Sequence, residues 1–439
     1  MTLLHLWFKN LSRLYVSLVT ICLLLTINIA QAGGLPSAEP ASVGLSAEHL
    51  SKLGAAMQAE IDAGNKAGIV VLIARQGKVA YLKAFGMANR ETGKPMQTNS
   101  LVRMYSMTKP ITSVALLSLY EKGKFKLSDP LDQYIPAMKH LWVYAGENAY
   151  GTLVGEKPNR MPTILDVFRH TAGFSYGNSD SPVDLMYRQN GVSYEKAASL
   201  KEMVAEKLPK MPLLYQPGTK WVYSLSHDVQ AYLVEYFSGM PFDQYLQKTI
   251  FEPLGMTDTF FGVPDKYVDR YTANYGPDGK GGIKQIENND GRRPAGEEGS
   301  YRRYTHMPFG GSGLSGTAMD YAKFAQMLVN GGELNGVRIL KQETVKKMTT
   351  NQLPAELGYL GPPSPGGTGY GLGVSVLEDV AASDNLGSKG QFGWAGIAST
   401  YVIMDPKQDM VSILLTQYMP ADFNFIMQWQ RLVYESLQN

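Results

Sequence analysis

At 439 residues the chain is longer than one hydrophobic core normally fills, so two lobes are expected. Its 41 basic and 39 acidic residues nearly balance, which gives no support to nucleic-acid or anionic-membrane partners. The only cysteine, Cys22, lies near the N-terminus, so the body of the protein has neither disulfides nor thiol chemistry.

Residues 1–13 carry Lys9 and Arg13 and no acid, and Leu14–Ala30 carry no charge. Ala30-Gln31-Ala32 then offers a small-x-small cleavage site before Gly33. Residues 1–32 therefore read as a signal peptide, with an uncleaved anchor as the alternative. Its removal leaves 39 basic against 39 acidic residues. An exported chain without disulfides suits a bacterial periplasm or cell surface.

Ser46 is placed as the N-cap of an amphipathic helix running to about Ala63. Gly68–Ala74, a Gln76-Gly77 turn and Val79–Leu82 read as a β-hairpin. The far end mirrors it: Thr400–Met404, a turn at Asp405-Pro406-Lys407, then Val411–Leu415. A last helix puts Ile426, Trp429, Val433 and Leu437 on one face. Strands at both ends with helices beside them predict an α+β fold with one antiparallel sheet built from 33–120 and 301–439. Residues 121–300 form a mostly helical inserted lobe, and the active site is expected in the cleft between. The Gly-rich and polar stretch from Asn274 to Tyr304 reads as a long loop.

The chemistry is concentrated at Ser106-Met107-Thr108-Lys109, which heads the apolar run Pro110–Tyr120. Positions i and i+3 share a helix face, so the lysine amine can reach the serine hydroxyl. A serine hydroxyl needs an adjacent base to become a nucleophile, and a buried lysine is one such base. Chance alone supplies roughly one or two Ser-x-x-Lys matches in a chain this long. A second one, Ser193-Tyr194-Glu195-Lys196, sits in a charged segment and reads as a solvated helix.

Two later motifs separate Ser106 from Ser193: Pro217-Gly218-Thr219-Lys220-Trp221-Val222-Tyr223-Ser224-Leu225, and Gly390-Gln391-Phe392-Gly393-Trp394-Ala395-Gly396 ahead of the strand at Thr400. With Lys126–Leu131, Arg169-His170-Thr171-Ala172-Gly173, Gly311–Thr317 and Gly369–Gly373, this order resembles the serine β-lactamase and penicillin-binding-protein superfamily. The resemblance is to its class C-like branch, most closely the family VIII carboxylesterases. It implies a β-lactamase-like fold, Ser106 as acylated nucleophile, Lys109 as its base, and Tyr223 as the group that relays the proton to the leaving group. It also implies an oxyanion hole from the backbone N–H groups of Ser106 and Ile397, and a substrate lying against Tyr105, Leu225, Trp394, Ala395 and Gly396. No cofactor is implied.

Tyr223-Ser224-Leu225 stands where class C β-lactamases have Tyr-x-Asn, and Trp394-Ala395-Gly396 where they have Lys-Thr-Gly. The missing asparagine and lysine would grip the amide and carboxylate of a β-lactam, so a small neutral ester is the expected substrate. β-Lactam or D-amino-acid peptide cleavage by the same residues is the alternative, and a non-catalytic cell-wall or partner-binding module a further one.

Other motifs carry less. Gly173-Phe174-Ser175-Tyr176-Gly177 matches a nucleophile elbow, but helical spacing precedes it and no histidine follows His306 to complete a triad. Gly311-Ser312-Gly313-Leu314-Ser315-Gly316 lacks the βαβ setting of a dinucleotide site. Six scattered histidines without ligand spacing predict no metal site, and His170 and His227 read as residues satisfying local hydrogen bonds.

Overall fold

Gly68–Arg75 (β1) is apolar from Gly68 to Ala74 because both of its faces are covered there. Ile69, Val71 and Ile73 point into one apolar cluster, and Val70, Leu72 and Ala74 into another on the opposite face. The structure, a computed structural model, describes residues 34–193, 196–286, 307–361, 364–384 and 386–438. The signal-peptide expectation at 1–32 lies outside them, as does most of the loop expected at 274–304. No helix of the described residues is long and apolar enough to cross a membrane.

Around β1 an eight-stranded antiparallel sheet forms. Its further strands are Lys78–Asn89 (β2), Lys94–Pro95 (β3), Thr368–Tyr370 (β4), Ser375–Leu377 (β5), Phe392–Gly396 (β6), Thr400–Asp405 (β7) and Met410–Thr416 (β8). The order across the sheet is β4-β5-β6-β7-β8-β1-β2-β3. The β1–β8 pairing, with Ile69 opposite Thr416 and Arg75 opposite Met410, joins the two chain ends. Both expected hairpins are present. Gln76 and Gly77 both have positive φ (54° and 71°), which is the two-residue turn that matches strand twist.

One face of the sheet is covered by Ala47–Asp62 (α1) and the C-terminal helix Phe423–Glu435 (α5). Ser46 caps α1 as expected, accepting from the His49 N–H at 3.2 Å. Ile426, Trp429 and Val433 are buried against the sheet, while Leu437 lies beyond the end of α5 and bridges to Leu45. The other face receives Thr108–Glu121 (α2) and Ala318–Val329 (α4), and α2 also packs against Ser226–Ser238 (α3). Every α2 residue from Thr108 to Leu119 is buried, so this helix runs through the middle of the protein.

Between α2 and α4 lie α3, several short helices and two small hairpins, Val143–Glu147 with Leu153–Glu156 and Tyr275–Pro277 with Ile283–Gln285. The second hairpin occupies part of the stretch read as loop. Its turn is held by Asp278, which accepts from the N–H groups of Lys280 and Gly282. Contacts join Leu35–Asn439 into one unit, because α2 belongs equally to the core under the sheet and to the helices beyond it.

Candidate active site

Ser106 sits in a single tight turn, Tyr105–Met107, immediately before α2. Tyr105 adopts φ 45°, a sparsely populated conformation for a bulky residue, so the nucleophile follows a strained backbone position. Lys109, in the first turn of α2, is 1% exposed. Its Nζ donates to Ser106 Oγ at 3.2 Å and to the Gly311 carbonyl at 2.7 Å. Tyr223 hydroxyl donates to the same Ser106 Oγ at 2.7 Å, and Trp394 Nε1 donates to the Tyr223 hydroxyl at 3.4 Å. Lys109 Nζ stands 4.5 Å from the centre of the Tyr223 ring. Two proton-accepting groups, once deprotonated, are thus within reach of one hydroxyl.

The Gly-rich loop after Phe309 is fastened to one face of α2. Thr112 Oγ1 donates to Gly310 O at 2.8 Å, and the Leu314 N–H donates to Thr108 Oγ1 at 3.1 Å. Asp228 on α3 holds the loop from the other side, accepting from the Gly311 N–H at 3.0 Å. Burial raises the Asp228 carboxyl to about 6, against the opposing pull of Lys109 and of backbone N–H donors. Gly311 therefore bonds the buried Asp228 carboxyl through its N–H and Lys109 through its carbonyl.

His170 and His227 are fully buried beside this group, with ring centres 4.9 Å apart and His170 4.9 Å from Tyr223. Burial, and then the nearby Lys109 charge, depresses the His170 imidazole; for His227 the neighbouring His170 adds to both. The Ser224 N–H donates to His170 Nδ1 at 3.2 Å, which puts that ring's proton on Nε2. Ser113 Oγ gives its hydrogen to Gln230 Oε1 at 2.9 Å and so accepts from His227 Nε2, 3.2 Å away. The local hydrogen bonds expected of both rings exist, yet His170 Nε2 and His227 Nδ1 have no partner.

β6 brings Trp394, Ala395 and Gly396 alongside the Ser106 turn, and Ile397 follows, 46% exposed. Gly396 permits the approach. A Cβ there would lie 2.6 Å from Met104 O and 2.2 Å from Thr400 Oγ1. Ser106, Trp394, Ala395, Gly396 and Ile397 all line a cavity of about 440 Å³ together with Tyr223 and Trp221. None of its described lining residues is Asp, Glu, Lys, Arg or His.

Two residues expected to touch substrate do not line this cavity. Leu225 is 3% exposed and packs in the core at the head of α3. Tyr105 is buried, its hydroxyl accepting from Asn274 Nδ2 at 2.9 Å. The family resemblance implied both as substrate contacts, but each is buried beside a reactive residue instead.

The competing serines have other occupations. Ser175 Oγ donates to the buried Asp184 carboxylate, a helix precedes it, and Ser181 opens the next helix as its cap. Ser193 lies in a turn rather than the solvated helix expected, and Tyr194 and Glu195 lie outside the described residues. Among the described residues no group of His, Cys, Asp or Glu could hold a metal ion. Asp228, and the cavity-lining Phe423, Met427 and Gln430 of α5, were not singled out by the sequence; Gly311 was read only as part of a Gly-rich motif and Ile426 only as part of a buried helix face. A lone aspartate at the fifth position after Tyr223 was the only available signal for the first.

A large antiparallel sheet, a buried helix headed by Ser-x-x-Lys and a tyrosine facing it define the serine β-lactamase and penicillin-binding-protein superfamily, whose members are serine hydrolases and acyltransferases. The beta-lactamase family model matches residues 53–434, and the chain belongs to that family. It is 32% identical to an uncharacterized protein of Mycobacterium tuberculosis over 369 residues, 82% of this chain and 88% of that protein. A Salmonella typhimurium protein provisionally named a D-alanyl-D-alanine carboxypeptidase is 27% identical, covering 87% of this chain and 85% of the other. Among solved structures, EstCE1, described as a hydrolase with promiscuous acyltransferase activity, superposes with a TM-score of 0.74 at 27% identity, covering 88% and 99% of the two chains. Simvastatin synthase (LovD) of Aspergillus terreus shares the fold at a TM-score of 0.77, 21% identity, and coverage of 90% and 100%.

Proposed function

We propose that this serine hydrolase cleaves neutral carboxylic esters through an acyl-enzyme on Ser106. The observation that carries the reading is Ser106 Oγ bonded by both Lys109 and Tyr223 at the mouth of a cavity whose described lining bears no charge. Ser106 Oγ attacks the ester carbonyl carbon while its proton passes to the Lys109–Tyr223 pair. The negative oxygen that forms is held by the backbone N–H groups of Ser106 and Ile397, fixed donors of the kind that typically contribute about 3–4 kcal/mol each. The C–O bond then breaks and Tyr223 hands a proton to the departing alcohol. Water, activated by the same pair, releases the acid and regenerates the serine.

The apolar wall at Trp394 suits an uncharged ester better than the carboxylate of a β-lactam or a D-alanyl peptide. The Salmonella relative's name keeps the peptidase alternative in view. EstCE1 supports acyl transfer to an alcohol as an accompanying reaction. Export through residues 1–32 belongs to the same proposal, and N-terminal sequencing of the protein from its host would show Gly33 first.

The test compares wild type, Ser106→Ala and Ser175→Ala on p-nitrophenyl acetate and butyrate, nitrocefin and a D-Ala-D-Ala peptide. Ester turnover is expected in wild type and Ser175→Ala and not in Ser106→Ala. Retained esterase activity in Ser106→Ala, or turnover confined to nitrocefin or the peptide, overturns the reading.

A further inference from the structure

The cavity at Ser106 is larger than an acetyl or butyryl ester needs. At about 440 Å³ it lies in the ~300–1,000 Å³ range that encloses drug-sized molecules. Its wall includes α5, which contributes Phe423, Ile426, Met427 and Gln430. That spacing, i, i+3, i+4, i+7, is one continuous helix stripe. Three of its members are apolar. The fourth, Gln430, is 1% exposed. Its Nε2 donates to Leu386 O in a long contact of 3.5 Å. Gln430 Oε1 is left without a partner.

A buried acceptor with nothing to accept is a standing cost, and a glutamine in an otherwise apolar stripe needs a reason. The described lining residues include no Asp, Glu, Lys, Arg or His, so a charged ligand group would be buried there without a counter-charge among them. A hydroxyl supplies the missing hydrogen without bringing charge. Building on the ester reading above, we propose that the cavity takes a long apolar arm of a neutral ester, and that a hydroxyl toward the far end of this arm donates to Gln430 Oε1. The substrate class is therefore a hydroxylated medium- or long-chain ester, with the hydroxyl on either the acyl or the alcohol side of the scissile bond.

The experiment uses the full chain and two series. The first compares p-nitrophenyl octanoate with hydroxyoctanoates carrying the hydroxyl at successive carbons. The second compares octyl acetate with the acetates of the corresponding octanediols. In one series wild type should prefer a hydroxylated member by about tenfold in kcat/KM, the worth of one good hydrogen bond. The responding series identifies the arm. Gln430→Leu should abolish or invert that preference, and Gln430→Met serves if the leucine variant does not fold. Equal kcat/KM at every hydroxyl position in both series for wild type overturns the proposal, as does a preference that survives both substitutions. If the plain esters are still turned over and depend on Ser106, the ester reading stands while this one falls. If wild type cleaves no ester, both fall as statements about catalysis. Thermal-shift protection of Ser106→Ala by octanediols then tests the cavity alone, and absence of protection removes it too.

Discussion

A single oxygen, Ser106 Oγ, organises the site because two different acids converge on it. Lys109 reaches it from the first turn of α2 and Tyr223 from the segment that leads into α3, so each depends on a separate element for its position. The Trp394 indole adds a donor to the Tyr223 hydroxyl, which stabilises negative charge there as the proton moves. Tyr223→Phe removes that hydroxyl and leaves the ring packed against Trp394 and His170. Ester kcat is expected to fall about 10²- to 10⁴-fold, with KM nearly unchanged and an unaltered circular dichroism spectrum. A kcat within threefold or so of wild type would move the proton relay to Lys109 alone.

At the scale of elements, the site depends on β6 running close beside the Ser106 turn. Gly396 is a point of close approach, where a methyl group meets both the Thr400 hydroxyl and the Met104 backbone carbonyl, and the backbone oxygen cannot swing aside. Gly396→Ala should therefore push β6 away from the turn, costing about 1–3 kcal/mol of stability. It should also lower kcat by more than stability loss alone would, because the proposed oxyanion donors, the N–H groups of Ser106 and Ile397, would separate. Thermal unfolding and steady-state kinetics on the same preparation check this; a normal kcat at a normal melting temperature would show that the approach is not needed. The elements themselves were largely legible. Apolar runs bounded by turn residues located β1, β2, β7 and β8, and 3.6-residue spacing located α1 and α5, since each must bury apolar surface. The misplaced residues, Tyr105 and Leu225, are next to reactive ones in sequence, and pattern alone does not say which of two neighbours faces the cleft. Gln430 was hidden for the related reason that Ile426, Trp429 and Val433 already accounted for the sheet-facing side of α5.

Over the whole molecule, joining both chain ends in one sheet places α2 where nearly all its surroundings are protein, and this sets the charge states around Lys109. The sequence showed that α2 would be buried but not which titratable groups from other helices would be buried with it. His170 and His227 are held neutral by burial and by Lys109, whereas in the unfolded chain each titrates near 6.5. As pH falls through 6.5 the unfolded chain takes up two protons that the folded one refuses, so stability is lost. Asp228 acts in the opposite sense. Its folded value of about 6 exceeds the unfolded 3.8, so between these pH values the folded state binds the extra proton and part of the loss is returned. For these three groups, stability is level from about pH 8 to about 6.5 and then declines by about 1.4 kcal/mol per pH unit per proton not offset. Urea denaturation from about pH 8 to about pH 5 measures the slope. His227→Gln, which keeps an N–H for Ser113, should take one proton out of the difference and flatten the acid limb. With one histidine left and Asp228 returning a proton, the contribution of this cluster below about pH 6 should come close to zero. A wild-type protein equally stable at both ends of that range, or a His227→Gln variant with an unchanged acid slope, would mean that the buried imidazoles accept protons inside the fold. They would then be available as part of the proton path to Lys109.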